Sequence, residues 1–455
     1  MSAARRIGIL AGGGTLPREI ADSVAARGIP LHIVALDGEA NADFGPYPVT
    51  RVNWGEIGRM VSTFKETGCT DLIIIGSVTR PDLGRIKPDL GFARALATVV
   101  GLILAGGDDA VLRGVIAFFE GRGFRVVGAA ELAPELVVGA GDFTPLPSDP
   151  SLMSDARTGF AIIAALGRFD IGQAAVVTGG RLEALEAAEG TDRMLQRLAT
   201  QRRAEGRPQS ESAGVLVKRT KPAQDSRIDL PAIGPHTITR ALECGLCGVA
   251  VEAGRTLVAN RSELLARAQA SRISVTGIDL GGDVGGVGVD GARAHSSLSG
   301  RMLRAIKARR AARQLELRPV GRHAIPSHVF RDANKGLEVM AALKRFGGTR
   351  AVVVVRGHVL AVEAGEGVAN ALARAAGLRQ WGEGRLRRRT GVVVIDAGRD
   401  CMPELIGHLE QGHFAGLVVR LRRFTAGVPS DTIAAADEAG VFIAGLTVEG
   451  RSGHG

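Results

Sequence analysis

Residues 6–36 read RIGILAGGGTLPREIADSVAARGIPLHIVAL, and their pattern establishes the fold class of the first part of the chain. Apolar RIGIL leads into a glycine-rich turn, REIADSVAARG places apolar residues at helical spacing, and apolar LHIVAL follows. A strand, a helix and a strand in this order are typical of a parallel α/β sheet. The sequence therefore predicts a Rossmann-like N-terminal domain, whose turn can offer backbone N–H groups to a phosphate at the start of the helix.

The glycine-rich turn matches the dinucleotide-binding fingerprint only in part. Gly12 and Gly14 fit the pattern, but Pro17 stands where its third glycine belongs. Asp37 follows the second strand, where a ribose-binding acid would lie. An NAD-dependent oxidoreductase therefore remains an alternative. The candidate substrate contacts of this turn are Gly12, Gly13, Gly14 and Thr15.

A further apolar strand, residues 71–76, leads into another candidate binding loop. Ligands of α/β sheets bind at the carboxyl ends of the strands, so the loop that follows this strand is expected to contact a ligand. Its candidate contacts are Ser77, Thr79 and Arg80. The first domain is expected to span residues 1–135. Residues 139–150 are rich in Gly, Pro and Asp, and are expected to form a linker.

Residues 218–237, KRTKPAQDSRIDLPAIGPHT, place cations beside carboxylates directly after an apolar strand. The prolines exclude a regular helix and favour a loop of fixed shape. Carboxylate oxygens suit a hard divalent metal, whereas Lys and Arg suit substrate phosphates, so the stretch is typical of a metal-assisted phosphate site. A surface loop with solvated ion pairs is the competing interpretation. The candidate site residues are Lys218, Lys221, Gln224, Asp225, Arg227 and Asp229.

The composition limits the classes of function. The chain has 455 residues, a formal net charge of +10, 45% hydrophobic residues and 4% aromatic residues. This length and hydrophobic content indicate a globular protein of about three domains, and the few aromatics argue against a base-stacking nucleic-acid surface. The positive charge suits a polyanionic ligand or an anionic membrane. Four cysteines without an apolar leader predict a reducing cytoplasm, and no apolar run approaches the roughly 20 residues of a membrane span.

The last part of the chain repeats the second domain in degenerate form. A shift of 177 residues superimposes Asp155 on Asp332 and Gly214 on Gly391; further along the shift becomes 168. Nine residues are therefore lost between Gly214 and Gly248, the region that holds the 218–237 stretch. The predicted organisation after the first domain is an α/β catalytic domain at 150–279, a Gly-rich and basic linker at 280–327, and the degenerate copy at 328–455.

The differences between the copies distinguish residues that the fold needs from residues that could act in binding or catalysis. Glycine turns and apolar strands persist in both, whereas Thr191 and Asp192 are replaced by Val368 and Ala369 in the second copy. Since this pair and the polar loop are lost together, we interpret Thr191 and Asp192 as substrate contacts. The second copy is expected to be a catalytically inert partner of the rest of the chain, at a surface that shorter relatives could use for self-association.

The segments IGILAGGGTLP, GSVTRP, GGDDAVLR, AAEGTD, GVLVKRTKPAQDSRIDLPAIGPHT and GVAVEAG form a distinctive set. Together they resemble the cytoplasmic UDP-2,3-diacylglucosamine pyrophosphatase family of lipid A biosynthesis, in its alphaproteobacterial form. The resemblance covers roughly residues 5–278. It implies hydrolysis of the pyrophosphate bond of UDP-2,3-diacylglucosamine to UMP and 2,3-diacylglucosamine 1-phosphate. It further implies a site between the two domains and a divalent metal, usually Mg²⁺, with Mn²⁺ as the other candidate.

The resemblance also assigns roles to particular residues. Asp225 falls on the acidic position of the motif KPxQDxRxDLP, which implies that it is the essential carboxylate. We expect Asp225 to bind the metal or to orient the attacking water, with Asp229 as the second candidate, and Lys221 and Arg227 to hold phosphate oxygens. A lipid or nucleotide carrier without chemistry is a further alternative. It is disfavoured because a carrier of anions gains nothing from a carboxylate beside the phosphate.

The expected partners follow from the substrate class and the charge. The substrate is a lipid-linked UDP-sugar, and the predicted helix at residues 298–317 is basic, so an anionic inner-membrane surface is an expected partner. The predicted location is cytoplasmic and peripheral on the inner membrane. A homodimer is a further expectation, and no nucleic-acid partner is predicted.

Overall fold

A computed structural model of the chain describes residues 5–78, 89, 108–146, 149–207, 213–221, 225–281, 317–379, 389–396, 403–421 and 428–447. Thr79, Arg80, Gln224 and residues 298–316 of the predicted basic helix lie outside the described residues.

The helices of the described residues are α1 (Leu16–Ala26), α2 (Ile57–Glu66), α3 (Asp108–Glu120), α4 (Ala129–Leu132), α5 (Pro150–Leu166), α6 (Thr191–Ala204), α7 (Pro235–Glu243), α8 (Arg261–Ser271), α9 (Phe330–Leu343), α10 (Val368–Arg379), α11 (Glu404–Gln411) and α12 (Ser430–Ala439). The strands are β1 (Ile7–Ala11), β2 (Leu31–Leu36), β3 (Val49–Val52), β4 (Asp71–Ile75), β5 (Arg125–Val126), β6 (Gly141–Asp142), β7 (Ala174–Thr178), β8 (Arg181–Leu185), β9 (Val215–Lys218), β10 (Ala232–Ile233), β11 (Gly248–Glu252), β12 (Leu257–Val258), β13 (Ser274–Ile278), β14 (Leu317–Pro319), β15 (Ala351–Val355), β16 (His358–Val362), β17 (Val392–Asp396), β18 (Gly416–Leu421) and β19 (Phe442–Thr447).

The first domain contains a parallel sheet with strand order β3-β2-β1-β4-β5. Successive side chains of a strand point to opposite faces, and both faces of this sheet are covered. Ile7 and Ile9 belong to one apolar cluster, while Leu10 and Val34 belong to another. The α/β class and the strand–helix–strand opening predicted from residues 6–36 are therefore confirmed.

The second domain contains a six-stranded sheet with order β6-β13-β11-β9-β7-β8. Its three inner strands β13, β11 and β9 are mutually parallel, and antiparallel strands flank them on both sides. The strand β6 corrects the sequence prediction for residues 139–150. Because Gly141 and Asp142 pair with Gly277 and Thr276, this segment includes an edge strand of the second domain and is not only a linker.

The third domain contains a six-stranded sheet with order β14-β19-β18-β17-β15-β16. Its strands β19, β18 and β17 are parallel, and the flanking strands β14 and β15 are antiparallel to their neighbours. The second and third sheets therefore share the same order and the same directions of these strands. An apolar cluster that includes Val353, Ile395 and Phe414 forms the core on one face of the third sheet.

Equivalent polar contacts recur in the second and third domains. A buried aspartate near the start of α5 accepts two backbone N–H groups from the turn after β7, and its counterpart in α9 does the same after β15. The contacts are Gly179 N and Gly180 N to Asp155 (2.8 and 2.6 Å), and Arg356 N and Gly357 N to Asp332 (2.8 and 2.7 Å). Such a carboxylate fixes the turn because it satisfies backbone donors that would otherwise be buried without a partner.

A buried arginine at the end of a helix is also shared by the two domains. Arg202 of α6 donates to the backbone carbonyls of Ala213, Cys244 and Gly245 and to Thr178 Oγ1. Arg379 of α10, which is 177 residues further on, donates to the carbonyls of Gly412 and His413 and to Thr390 Oγ1. Each guanidinium therefore ties its helix to the ends of loops that are far apart in sequence.

Contacts between residues divide the chain into two compact units. The first comprises Met1–Phe160, Gln173–Gly180 and Leu195–Gly281, so it holds the first domain and most of the second. The second comprises Ala161–Gly172, Arg181–Met194 and Gly282–Gly455. Two stretches of the second domain thus group with the third domain. Among the helices of the described residues, none is both long enough and apolar enough to cross a bilayer.

Candidate functional site

The acidic turn after β9 forms the centre of the candidate site. Residues 225–228 make a tight turn, because the backbone N–H groups of Ile228 and Asp229 both point to the Asp225 carbonyl at 3.2 Å. The Asp225 side chain accepts the backbone N–H of Arg227 at 3.0 Å. An aspartate that binds the N–H two residues ahead stabilises a turn of this kind. The turn therefore holds the Asp225 carboxylate in a fixed place.

The Arg227 guanidinium covers the same carboxylate. Arg227 Nε lies 3.0 Å from Asp225 Oδ1, and Arg227 Nη2 lies 2.8 Å from Asp225 Oδ2. This two-bond arrangement is the strong, planar form of an Arg–carboxylate pair. The side chains of Asp225 and Arg227 are 22% and 40% exposed, so a ligand can reach both.

The first domain supplies the second partner of Arg227. Glu120 is the last residue of α3, and its Oε1 lies 2.7 Å from Arg227 Nη1. Ile228 packs against the apolar cluster that contains Phe119 and Phe124 of the first domain. Leu230 packs against the cluster on the opposite face of the first sheet. The acidic turn is therefore anchored on the first domain by one ion pair and two apolar contacts, all within the first compact unit.

The charge around Asp225 keeps it ionised. The hydrogen bond from the Arg227 side chain is the main cause that lowers the pKa of Asp225 below its ordinary value, and Arg113 of α3 adds to it. Burial acts in the opposite direction but is outweighed. Because the folded pKa lies below the unfolded one, the stabilisation is present above the unfolded pKa and is lost as the pH falls through the folded pKa. Asp225 is therefore a carboxylate at neutral pH.

The cations that precede the turn are buried and take part in the fold. Lys218 is the last residue of β9, and its Nζ donates to the Ala232 carbonyl at 2.9 Å. Arg219 donates to the Phe160 carbonyl at 3.3 Å. Lys221 is only 8% exposed, like Lys218. The sequence predicted that Lys218 contacts the substrate. In the structure Lys218 ends a buried strand, and its ammonium group donates to a backbone carbonyl.

The glycine-rich turn meets the end of β4. Gly13 N donates to the Ser77 carbonyl at 2.7 Å, and Ser77 N donates to the Gly13 carbonyl at 3.0 Å. A Cβ on Gly12 would lie 2.5 Å from the Ser77 carbonyl oxygen, so this close approach of two backbones explains the glycine at this position. The structure therefore brings together Gly12, Gly13 and Ser77, and it gives the first two a packing role.

The exposed part of the same turn retains polar groups. Gly14 N donates to Asn41 Oδ1 at 2.9 Å, and Thr15 Oγ1 donates to Glu19 Oε1 at 2.7 Å. The Glu19 carboxylate also accepts the backbone N–H of Asn260 from the second domain, at 3.1 Å to each oxygen. Gly14 and Thr15 are both exposed at the start of α1, so they are accessible to a ligand.

Thr191 and Asp192 form the first turn of α6. The preceding Glu189 and the earlier Glu186 are buried. In the third domain the corresponding helix α10 begins with Val368 and Ala369. The Thr191–Asp192 pair and the Val368–Ala369 pair that replaces it therefore stand at the start of equivalent helices. Thr191 and Asp192 belong to the second compact unit and the acidic turn to the first.

The donor set around Asp225 fits a divalent metal that is held mainly by substrate and water. Within the ranges that the structure describes, no three His, Cys, Asp or Glu side chains form a metal-binding group. Mg²⁺ is commonly bound by one or two carboxylates together with phosphates and waters. Asp225 is such a carboxylate, and Asp229 lies in the same turn. Both Asp225 oxygens accept hydrogen bonds from Arg227, which leaves fewer lone pairs of the carboxylate for a metal.

Two site residues were missed by sequence reasoning. Glu120 and Arg113 lie on α3, more than 100 positions before the acidic turn. Glu120 forms an ion pair with Arg227, and the charge of Arg113 helps to lower the pKa of Asp225. The segment GGDDAVLR was singled out, and it contains Arg113, but no role was given to that residue. No local pattern marks Glu120, since an exposed glutamate at a helix end is ordinary.

Comparisons with known proteins match the chain across both domains that build this site. The family model described as the LpxI N-terminal domain matches residues 6–136, and the model described as the LpxI C-terminal domain matches residues 139–276 and 319–401. The UDP-2,3-diacylglucosamine pyrophosphatase LpxI of Caulobacter vibrioides is 39% identical over 277 residues, which cover 60% of this chain and 98% of that protein. The matched ranges include the glycine-rich turn, α3, the acidic turn and part of the third domain. The chain belongs to the LpxI family.

Proposed function

We propose that the chain hydrolyses the pyrophosphate bond of UDP-2,3-diacylglucosamine to UMP and 2,3-diacylglucosamine 1-phosphate. The observation that carries the proposal is the 39% identity to the Caulobacter enzyme over 98% of that protein's length. The site supports it chemically, because a fixed carboxylate lies beside a guanidinium whose planar donors suit phosphate oxygens.

Arg227 has a role in substrate binding that follows from its contacts. A pyrophosphate offers oxygens that can replace the carboxylates of Asp225 and Glu120 as partners of the guanidinium. We propose that, when substrate binds, the Arg227 guanidinium exchanges its hydrogen bonds to these carboxylates for hydrogen bonds to the pyrophosphate. This exchange would neutralise charge on the phosphate and would open the Asp225 oxygens at the same time.

Asp225 then acts on the attacking water or binds the metal. A carboxylate that remains ionised at neutral pH can orient water or accept its proton as the bond to phosphorus forms. A divalent metal, when bound, would neutralise charge on the phosphate oxygens. Asp225 would be its protein ligand, with Asp229 as the second candidate. The substrate contacts proposed on the opposite domain are the exposed Gly14 and Thr15, with Ser77 nearby.

The alternative functions receive less support. An NAD-dependent oxidoreductase would use the glycine-rich turn for a dinucleotide. Gly12 and Gly13 instead pack against the end of β4, so their presence does not require such a cofactor. A carrier without chemistry does not account for a carboxylate whose two oxygens face a phosphate-binding guanidinium.

The first test replaces the proposed catalytic carboxylate. We expect Asp225→Asn to lower the rate of UMP release by roughly 10²- to 10⁴-fold, because a positioned general base contributes about that factor. Asp149→Asn is the matched control. Asp149 also binds the N–H two residues ahead, at 2.7 Å, but lies outside the site. The protein is assayed with the UDP-sugar lipid, and the fold is checked by circular dichroism. Equal rates for the two variants would contradict the role of Asp225.

The second test concerns the effect of Arg227 on Asp225. Arg227→Gln removes the main cause of the low pKa of Asp225, so this pKa should rise toward or above its ordinary value. The acid limb of kcat/KM should therefore move to higher pH, and kcat/KM itself should fall by roughly 10- to 100-fold through the lost phosphate contact. Glu120→Gln is the control, since Glu120 contacts Arg227 but has no hydrogen bond to Asp225. An acid limb that stays where it is in Arg227→Gln would refute this account.

The third test removes the metal. We expect EDTA to abolish UMP release and added Mg²⁺ or Mn²⁺ to restore it, because oxygen donors prefer hard cations. Binding of Mn²⁺ is followed separately by electron paramagnetic resonance, in the presence of UMP. Asp225→Asn should weaken this binding, while Asp149→Asn should not. Full activity in EDTA would show that the cationic residues suffice without a metal.

The fourth test concerns the membrane. We propose reversible association with an anionic bilayer surface, supported by the net charge of +10 and by the lipid substrate of the Caulobacter relative. Each Lys or Arg near such a surface contributes about 1 kcal/mol, and salt screens the attraction. Sedimentation with anionic vesicles should fall as salt rises, while neutral vesicles should bind little at any salt. Binding that ignores both lipid charge and salt would argue against this proposal.

A further inference from the structure

A buried arginine of the third domain lies between two carboxylates that come from different domains. Arg374 of α10 donates through Nη2 to Glu366 of its own domain and through Nη1 to Glu189 of the second domain. It also reaches the Val362 carbonyl at 3.2 Å. The Arg374 side chain is 11% exposed, and each of the two glutamate side chains is 2% exposed. This triad of Glu189, Arg374 and Glu366 is therefore almost completely shielded from water.

The triad depends strongly on its arginine. Burial disfavours the charged guanidinium, but Glu189 and Glu366 outweigh this effect and keep the pKa of Arg374 above its ordinary value. Without Arg374, the two glutamates would keep their shielded positions but lose one cation that contacts both. A buried charge whose partner is removed is strongly destabilising. Loss of Arg374 is therefore expected to weaken the contact between the second and third domains.

The repeat shows that the two sides of this contact are copies of one surface. The shift of 177 residues superimposes Glu189 on Glu366, Glu186 on Glu363 and Arg197 on Arg374. Each domain therefore carries the same set of two glutamates and one arginine around the start of equivalent helices. An interface with two-fold symmetry requires the same patch on both partners.

Other contacts agree with this arrangement. Residues 161–172 and 181–194 of the second domain belong to the same compact unit as the third domain. Asp170, in the first of these stretches, lies close enough to Lys335 of α9 for its charge to act on that side chain. An alignment of 277 residues covers 98% of the Caulobacter relative. That relative is therefore about as long as the first two domains of this chain together.

We propose that the third domain serves as a built-in second copy of the second domain, and occupies a two-fold interface that includes Glu189. The partner that this surface fits is a domain with the same set of glutamates and arginine. Within this chain the partner is covalently attached. The surface around Glu189 is then already covered, and the chain does not use it to bind another chain.

The experiment cuts the chain between the two domains without removing either part. A specific protease site is inserted within residues 282–316 of the full-length protein, which is then cleaved and examined by size-exclusion chromatography with light scattering. Because the third domain takes the place of a second chain, we expect the uncut chain to have the monomer mass of 47.3 kDa and not that of the homodimer expected from the sequence. We expect the two fragments of the cut chain to elute together, one of each. Fragments that separate without any further substitution would overturn the proposal.

Substitutions on both sides of the contact identify what holds the fragments. Arg374→Glu should weaken their association by roughly 100-fold, as expected when one partner of a buried ion pair is lost. Glu189→Ala should also weaken it, and it leaves the sequence of the third domain unchanged. The combination of Glu189→Arg with Arg374→Glu keeps two acids and one base in the triad and should restore much of the association. Arg322→Glu is the control, since the Arg322 side chain is 88% exposed on the third domain.

Three further outcomes count against the proposal. Association that neither Arg374→Glu nor Glu189→Ala weakens would show that the triad does not hold the domains. An uncut chain that dimerises, and that Arg374→Glu converts to monomers, would show that Arg374 joins different chains. If Arg374→Glu alone prevents folding, as judged by circular dichroism, the decision rests on Glu189→Ala: unchanged association in that variant refutes the proposal.

Discussion

A single guanidinium connects the acidic turn of the second domain to the framework of the first. Arg227 lies between Asp225 of its own turn and Glu120 at the end of α3, with nitrogen–oxygen distances of 2.7–3.0 Å. The apolar contacts of Ile228 and Leu230 fix the turn, but they could tolerate a small displacement. The charged contacts are more directional. The position of the Asp225 carboxylate therefore depends on a helix that is more than 100 residues away in the sequence.

The two copies of the α/β domain show which contacts belong to the fold. Both retain the strand order, the aspartate that accepts two turn N–H groups, and the arginine that closes the end of a helix. These residues satisfy buried backbone groups, so their loss would be costly in either copy. The acidic turn makes no comparable contribution to the core of the second domain. The sequence of the third domain lacks the KPAQDSRIDLP stretch, and this loss is therefore compatible with a stable fold.

Much of the fold could be predicted from the sequence, because apolar strands and helical spacing are local patterns. The strands around residues 7–11, 31–36 and 71–75 were predicted within a residue or so. The edge strand β6 was not, since two residues without a hydrophobic pattern become a strand only through pairing with β13. The site was predicted less well than the fold. Asp225 and Arg227 stand in one motif, but the burial of Lys218 and the part played by Glu120 result from long-range contacts.

The presence of two similar sheets in one chain also affects how the protein can change. In a symmetric dimer every substitution occurs twice, once in each subunit, so a change that suits one side of the interface is imposed on the other. In this chain the helix that begins with Thr191 and the helix that begins with Val368 are encoded separately. Each can therefore acquire substitutions that the other does not share. Covalent connection also keeps the ratio of the two domains at one to one and makes their encounter independent of the protein concentration.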